Sequence, residues 1–423
     1  MTLSVVRSQY EDYPYPPRDP EEEGVLLHCS GESLPELSHW LYRGRQDYGG
    51  FRCLVAGGGT GDSTLFLAEQ LRDKPGAEVV YLDFSRASME VAQARAQKHG
   101  LRDRITWVND SLLNLPHLNL GQFDFIQCTG VLHHLRSPSE GLRCLADSLT
   151  DTGGMDIMVY GQYGRTGVYQ LQDLLRLVNE GVSSRAEEVM NAKLILRDLP
   201  PSNWFVRGED LITDHKTFGD AGIYDLLLHK QDRAFTVPQL YELVEESGLH
   251  FVAFSTCDGR LRMDLRNLIT DVSLLQRLLK KDLRTQQAAA ELLLGNFIKH
   301  QFYVSRRADS VASFSDLENV PHFTQKEIPS QMCSILEKYS REGGTISFTL
   351  EGLPKVSFRP GPYSLRIFKA LDGEPGRPLR SVFVSLRELL GENLPDEVLV
   401  REVQRALNPF VQAGVLVLLK DGG

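Results

Sequence analysis

The sequence is short of the features that mark several protein classes. No apolar run approaches the roughly 18 to 20 residues that cross a bilayer, so no membrane partner is expected. The opening MTLSVVRSQYEDYPYPP lacks the apolar core and cleavage site of a secretory signal. Basic charge is not in excess: the formal net charge is −10, which works against broad attraction to nucleic acid. The six cysteines form no C-x-x-C pair, so neither spacing nor number points to a zinc site, and no metal is expected. Cys53 and Cys128 lie in apolar, strand-like runs, where a thiol behaves as a small hydrophobe. A reducing, cytoplasmic compartment is the simplest reading. Internal repeats and low-complexity tracts are also missing.

What is present reads as a globular protein with more than one structural unit, at 423 residues, 42% hydrophobic and 24% charged. Between residues 51 and 160, five short runs read as strands: FRCLVA, AEVVYLD, RITWVN, FDFIQC and GMDIMVY. Their nearly continuous apolarity suits strands covered on both faces. STLFLAEQLRD and RASMEVAQARAQKHG carry apolar residues at helical spacing, the second bounded by Ser85 and Gly100. Strands alternating with helices predict an α/β fold, a doubly wound and mostly parallel sheet with right-handed crossovers.

Beyond Tyr160 the alternation is interrupted. Helical insertions are expected at about 161–235 and 258–297, with loop chemistry around PPSNW, and their lengths suit lids or dimer helices. The helix pair in RNLITDVSLLQRLLKKDLRTQQAAAELLLG has the amphipathic pattern of a core-facing element and would also serve a homodimer. TVPQLYELVEESGLHFVAF restores a helix and a strand, and KHQFYVSRR adds another strand. The expected organisation is an N-terminal arm and helix over 1–48, the α/β domain over 49–308, a linker over 309–325 and a smaller α+β domain over 326–423. That last domain, with three amphipathic helices, a short hairpin and a terminal strand, resembles a winged helix. Its balanced charges favour a packing or partner role over DNA binding.

The stretch VAGGGTGDS places four glycines where the first strand turns into a helix. Such a turn sits at the carboxyl edge of the sheet, where open α/β folds bind ligands. Glycines there let a ligand approach the main chain, and the following helix offers free N–H groups. The spacing of Gly57, Gly59 and Gly61 is G-x-G-x-G, whereas a dinucleotide site needs G-x-G-x-x-G. YLDFS sets Asp83 at the next strand's carboxyl edge, WVNDS sets Asp110 at the third, and CTGVLHHL follows the fourth.

Together these features resemble the class I S-adenosylmethionine-dependent methyltransferases, over roughly residues 50 to 160. The nearest pattern is a subgroup with VAGxGTG and a YPYPP-like N-terminal segment. The resemblance implies a Rossmann-like domain with S-adenosyl-L-methionine as cofactor. It assigns Gly57, Gly58, Gly59, Thr60, Gly61 and Asp62 to the methionine end, and Asp83 with Phe84 to the ribose. Asp110 and Ser111 go to the adenine, and Thr129 and Gly130 pass beneath the methionine moiety. Asp110 also reads as a helix N-cap. Many family members carry an acid two places before the first glycine, where this chain has Val55; Asp62 either supplies that charge or favours the helix start.

The resemblance implies transfer of a methyl group to an O, N, C or S acceptor that it does not identify, a small molecule or a protein side chain. His133 and Tyr163 are the candidate catalytic groups. His134, Tyr160 and Arg165 are candidates for the acceptor site, Arg165 through its fork of donors for a carboxylate or phosphate. The arm's Tyr13 and Tyr15, in a stiff and extended proline-rich segment, are expected to line the pocket and exclude water. Asp214, His215 and His229 form a weaker candidate cluster. A nucleotide-linked oxidoreductase and a catalytically idle cofactor-binding scaffold are the alternatives.

Overall fold

Seven of the apolar runs become β1 (Arg52–Ala56), β2 (Glu78–Asp83), β3 (Ile105–Asn109), β4 (Phe123–Thr129), β5 (Leu149–Tyr160), β6 (His250–Phe254) and β7 (Lys299–Ser305). They pair in the order β3-β2-β1-β4-β5-β7-β6. The first five run parallel, and β7 is antiparallel to β5. The computed structural model describes residues 2–22, 24, 27, 33–45, 47–255, 257–339, 344–349, 356–373 and 376–420. The chain divides into two compact units, the first being 1–31, 48–251 and 276–306 and the second 32–47, 252–275 and 307–423.

In the first unit β1 is central, with Cys53, Leu54 and Ala56 fully buried. β2 lies on one side of it and β4 on the other. The strand order therefore reverses at β1, which opens a crevice at the carboxyl ends of β1 and β4. The helix Asp62–Gln70 follows β1, and Arg86–Lys98 follows β2. Ser85 caps the second, its Oγ accepting from the Ser88 N–H at 3.1 Å, and Gly100 ends it in the left-handed region at φ 66°.

The insertion after β5 forms the helices Thr166–Val178 and Arg185–Asp198. The stretch beyond PPSNW is not loop but a run of short helices ending in a wide π-helical turn, Tyr224–Leu228. This insertion has its own core, in which Val168, Leu171, Leu175, Phe205 and Leu226 are buried together. Residues Thr2–Asp12 of the arm form a helix that takes in the start of the expected extended stretch, and 13–19 after it are neither helix nor strand. A tail of the arm, residues 25–26 and 28–32, lies outside the described residues.

The second unit contains the helices Ile328–Tyr339, Ser364–Gly373, Leu379–Leu390 and Asp396–Gln412. β8 (Asn319–Phe323) pairs antiparallel with β11 (Leu416–Lys420), and β9 (Ile346–Phe348) pairs with β10 (Val356–Phe358). Thus 319–323, inside the expected linker, is a strand. The arm is also divided. His39 Nδ1 accepts from the Leu418 N–H at 3.0 Å and Gly44 O from the Lys420 N–H at 2.6 Å, which joins 32–47 to the second unit. Arg260 Nε donates to Gln412 O at 3.1 Å and joins 252–275 to it likewise.

Candidate active site

The glycine turn is held to the second strand. The Gly57 N–H donates to Leu82 O at 2.7 Å, and the Tyr81 hydroxyl to Gly59 O at 2.7 Å. Gly57 has φ 79°, and a Cβ there would lie 2.2 Å from Val131 Cγ2. At Gly59, with φ 50°, a Cβ would meet Tyr15 O at 2.8 Å. Both positions require glycine, one by its neighbour and the other by the strap that crosses it.

Asp83, at the carboxyl end of β2, is 7% exposed. Its Oδ2 accepts from the Gly59 N–H and its Oδ1 from the Ser85 N–H, each at 2.8 Å. Burial pushes its carboxyl up to about 6 against these bonds. Asp110 Oδ1 accepts from the Ser111 N–H and from Asn114 Nδ2, both at 2.7 Å. Asp83, Phe84, Asp110, Ser111, Thr129 and Gly130 line one cavity of about 680 Å³ together with Gly57, Gly58, Gly59 and Asp62. Thr60 and Gly61 stand behind that wall. Thr60 Oγ1 donates to Pro16 O at 2.7 Å, and Gly61 has φ 103° at the helix start. Asp62 is already engaged: it accepts from Arg18 at 3.0 and 2.6 Å and from Arg95 at 2.7 Å. Burial raises its carboxyl, but these two arginines outweigh that and hold it below the usual carboxylate range. Arg95 is fully buried and also donates to Thr60 O at 2.7 Å.

The other end of the cavity is a polar chamber under the helical insertion. Tyr15 and Pro16 line it from the arm, along with Tyr10, His134, Tyr160, Arg165, Asp214 and Asp225. The Tyr10 hydroxyl donates to Asp225 Oδ1 at 3.0 Å, and the Tyr160 hydroxyl to Oδ2 at 3.2 Å. Arg165 stacks on the Tyr160 ring at 3.7 Å and donates to Asp232 at 3.4 Å.

Three expected residues stand elsewhere. His133 is fully buried behind Tyr160, stacked on it at 3.7 Å, and is absent from the cavity wall. Burial, with His134 and Arg165 nearby, keeps it neutral. Tyr163 is outside the wall because Gly161 and Gly164 bond to Ile298 O and Phe297 O, which turns Arg165 inward instead. Tyr13 stacks on Tyr224 at 5.3 Å and packs into the insertion's core rather than the cavity.

Within the weaker cluster, His215 leaves to pair with Glu209 at 2.9 Å, and His229 stacks on His134 at 3.8 Å. Donor atoms of His134, Asp225 and His229 lie within 4.8 Å of one another. The Gln231 N–H donates to His229 Nδ1 at 3.1 Å, so neutral His229 carries its proton on Nε2 and has no lone pair left for a metal. With its ring lying flat on His134, the trio is suited to hydrogen bonding rather than ligation. Asp225, Gln231 and Arg95 were not singled out from sequence. The four-residue spacing of Val6 and Tyr10, both on the cavity wall, is the signal for a helix in the arm.

Residues 54–155 match the model of the methyltransferase domain family. Those residues carry a methyltransferase domain. An uncharacterised Synechococcus protein is 34% identical over 255 residues, 60% of this chain and 60% of its own length. A ubiquinone biosynthesis O-methyltransferase of Vibrio campbellii is 25% identical over 132 residues, 30% of this chain and 55% of its own. The chain therefore spans less than two thirds of either curated relative. The structure of PKMT2 from Rickettsia typhi in complex with AdoHcy covers 92% of this chain and 76% of its own, with a TM-score of 0.60 at 16% identity, a likeness of fold. The sequence resemblance implies S-adenosylmethionine as the cofactor, and that structure of PKMT2 holds AdoHcy. The residues present fit it. The glycine turn leaves main chain bare where a Cβ would collide, Asp83 lines the cavity with one accepted bond on each oxygen and so capacity for more, and the buried Thr129 Oγ1 has no protein partner. Among the described residues no helix is long and apolar enough to cross a membrane.

Proposed function

We propose that the protein is an S-adenosylmethionine-dependent methyltransferase whose acceptor, a small molecule or the end of a side chain, enters the chamber beneath the insertion. The observation that carries this is one continuous cavity, with Asp83 and Asp110 at one end and Tyr10, Tyr160 and Asp225 at the other. When bound, the cofactor supplies an activated methyl on sulfur. Asp83 then accepts from the ribose hydroxyls, Asp110 and Ser111 meet the adenine, and the glycine turn with Gly130 supports the amino acid tail. The protein's main contribution is alignment, worth on the order of 7 to 11 kcal/mol in favourable cases. The strap of Tyr15 and Pro16, latched through Thr60, and the ion pair of Arg18 with Asp62 cover the turn and exclude water. A reducing, cytoplasmic setting suits the buried free thiols of Cys53 and Cys128.

Calorimetry on the full chain tests the reading: S-adenosylhomocysteine binds one to one, and NADH gives no heat. Binding of NADH in preference to S-adenosylhomocysteine would put the oxidoreductase alternative in its place.

A further inference from the structure

The chamber holds groups that cofactor binding leaves unused, and their charges do not balance. Asp225 is 4% exposed and lines the cavity. The hydroxyls that donate to it, those of Tyr10 and Tyr160, are neutral. Arg165, the buried cation nearby, is committed to Asp232, and Gln172 Nε2 also donates to that aspartate, at 3.2 Å. Arg136 and Lys299 also lie on the cavity wall, but both are exposed to solvent. Burial pushes the His134 imidazole down to about 4 and His229 well below its usual value, so both are neutral at pH 7. Asp214 adds a second carboxylate to the same wall. The chamber is therefore acidic, and its sides are the rings of Tyr10, Tyr15 and Tyr160.

A buried carboxylate without a counter-charge is costly, and the cost is relieved when a cation enters. Aromatic walls add to the attraction for a cation stacked on them. A hydroxyl acceptor would leave the charge of Asp225 uncompensated. A carboxylate or phosphate acceptor would bring like charge beside Asp214 and Asp225, and Arg165, expected from sequence to hold such a group, already has its partner.

Resting on the methyltransferase reading, we propose that the acceptor is an amine, held as its ammonium by Asp225 and the surrounding tyrosine rings. Asp225 then takes one ammonium proton onto its carboxylate. An ammonium and a carboxylate become a neutral amine and a carboxylic acid, and the nitrogen's freed lone pair is the nucleophile. Burial favours this transfer because it replaces two charges with none.

The test uses the full chain loaded with S-adenosylhomocysteine and titrated in a calorimeter with three probes of equal length: hexylammonium, 1-hexanol and hexanoate. Hexylammonium is expected to bind at least about tenfold more tightly than either of the others. In Asp225→Asn that preference should shrink to about twofold or less, while S-adenosylhomocysteine affinity stays within about threefold. Equal or tighter binding of hexanol or hexanoate to the wild-type chain would overturn the amine assignment and leave the cofactor reading standing. So would a preference that survives Asp225→Asn. If S-adenosylhomocysteine itself fails to bind, the methyltransferase reading fails and the assignment falls with it. The wild-type comparison alone is decisive should the variant not fold.

Discussion

Replacing Asp225 by asparagine should stabilise the free protein at neutral pH, because the native carboxylate is held where it is disfavoured. Its ordinary value is 3.8; burial first, with help from Asp214, pushes it up to about 6 against the Tyr10 and Tyr160 hydrogen bonds and Arg165. A folded-state value above the unfolded one means that the folded chain keeps its proton longer. The contribution to stability is whole below about pH 4 and is lost as pH rises through 6. At 1.36 kcal/mol per pH unit, that gap costs the folded state about 3 kcal/mol above pH 7, and about half of that at pH 5. Asparagine is nearly isosteric. It can accept one tyrosine hydroxyl and donate to the other, so the chamber's hydrogen bonds survive. Urea unfolding of both proteins at half-unit steps from pH 5 to 8 measures the effect. The variant's stability relative to wild type should rise by about 1 to 1.5 kcal/mol across that range, most of it below pH 7. A difference that stays constant with pH would refute the reasoning, since it would mean that Asp225 titrates alike in the folded and unfolded chains.

Three other expectations concern the cofactor end. Gly57→Ala should cost about 2 kcal/mol or more through its left-handed backbone and its collision with Val131, and should abolish S-adenosylhomocysteine binding; adding Val131→Ala should restore part of the stability in a double-mutant cycle. Arg18→Gln leaves Asp62 paired with Arg95, so stability should fall by only about 1 kcal/mol or less, while S-adenosylhomocysteine should dissociate about fivefold faster in stopped-flow measurements. Asp83 titrates near 6 in the free protein, and diol hydroxyls stabilise its ionised form. S-adenosylhomocysteine affinity should therefore weaken as pH falls from 7 to 5, and Asp83→Asn should bind weakly with no such dependence.

The sheet and its ligand edge were legible because local pattern determines them. Apolar runs bounded by Gly57, by Asp83 and by Asp110 become β1, β2 and β3 with those residues at their carboxyl ends. The chamber was less legible because it is assembled by distant segments. Asp225 reaches Tyr10 across 215 positions of sequence, and nothing local to either residue announces the other. His133 and Tyr163 lie next to wall residues in sequence, yet one is sealed behind Tyr160 and the other is turned outward by the bonds of Gly161 and Gly164. Arg95 sits on the helix Arg86–Lys98, and only the folded turn shows why it is buried on Asp62. The division of the arm, and the strand hidden in the expected linker, likewise depend on β11 at the far end of the chain.

The central claim is that the cavity at the ends of β1 to β4 is a methyl-donor site. A crystal structure of the protein grown with S-adenosylhomocysteine tests it most directly. The ribose hydroxyls are expected within hydrogen-bonding distance of Asp83, with the adenine beside Asp110 and the sulfur opening toward Tyr160 and Asp225. Ligand bound elsewhere, or Asp83 turned from the ribose, would contradict it.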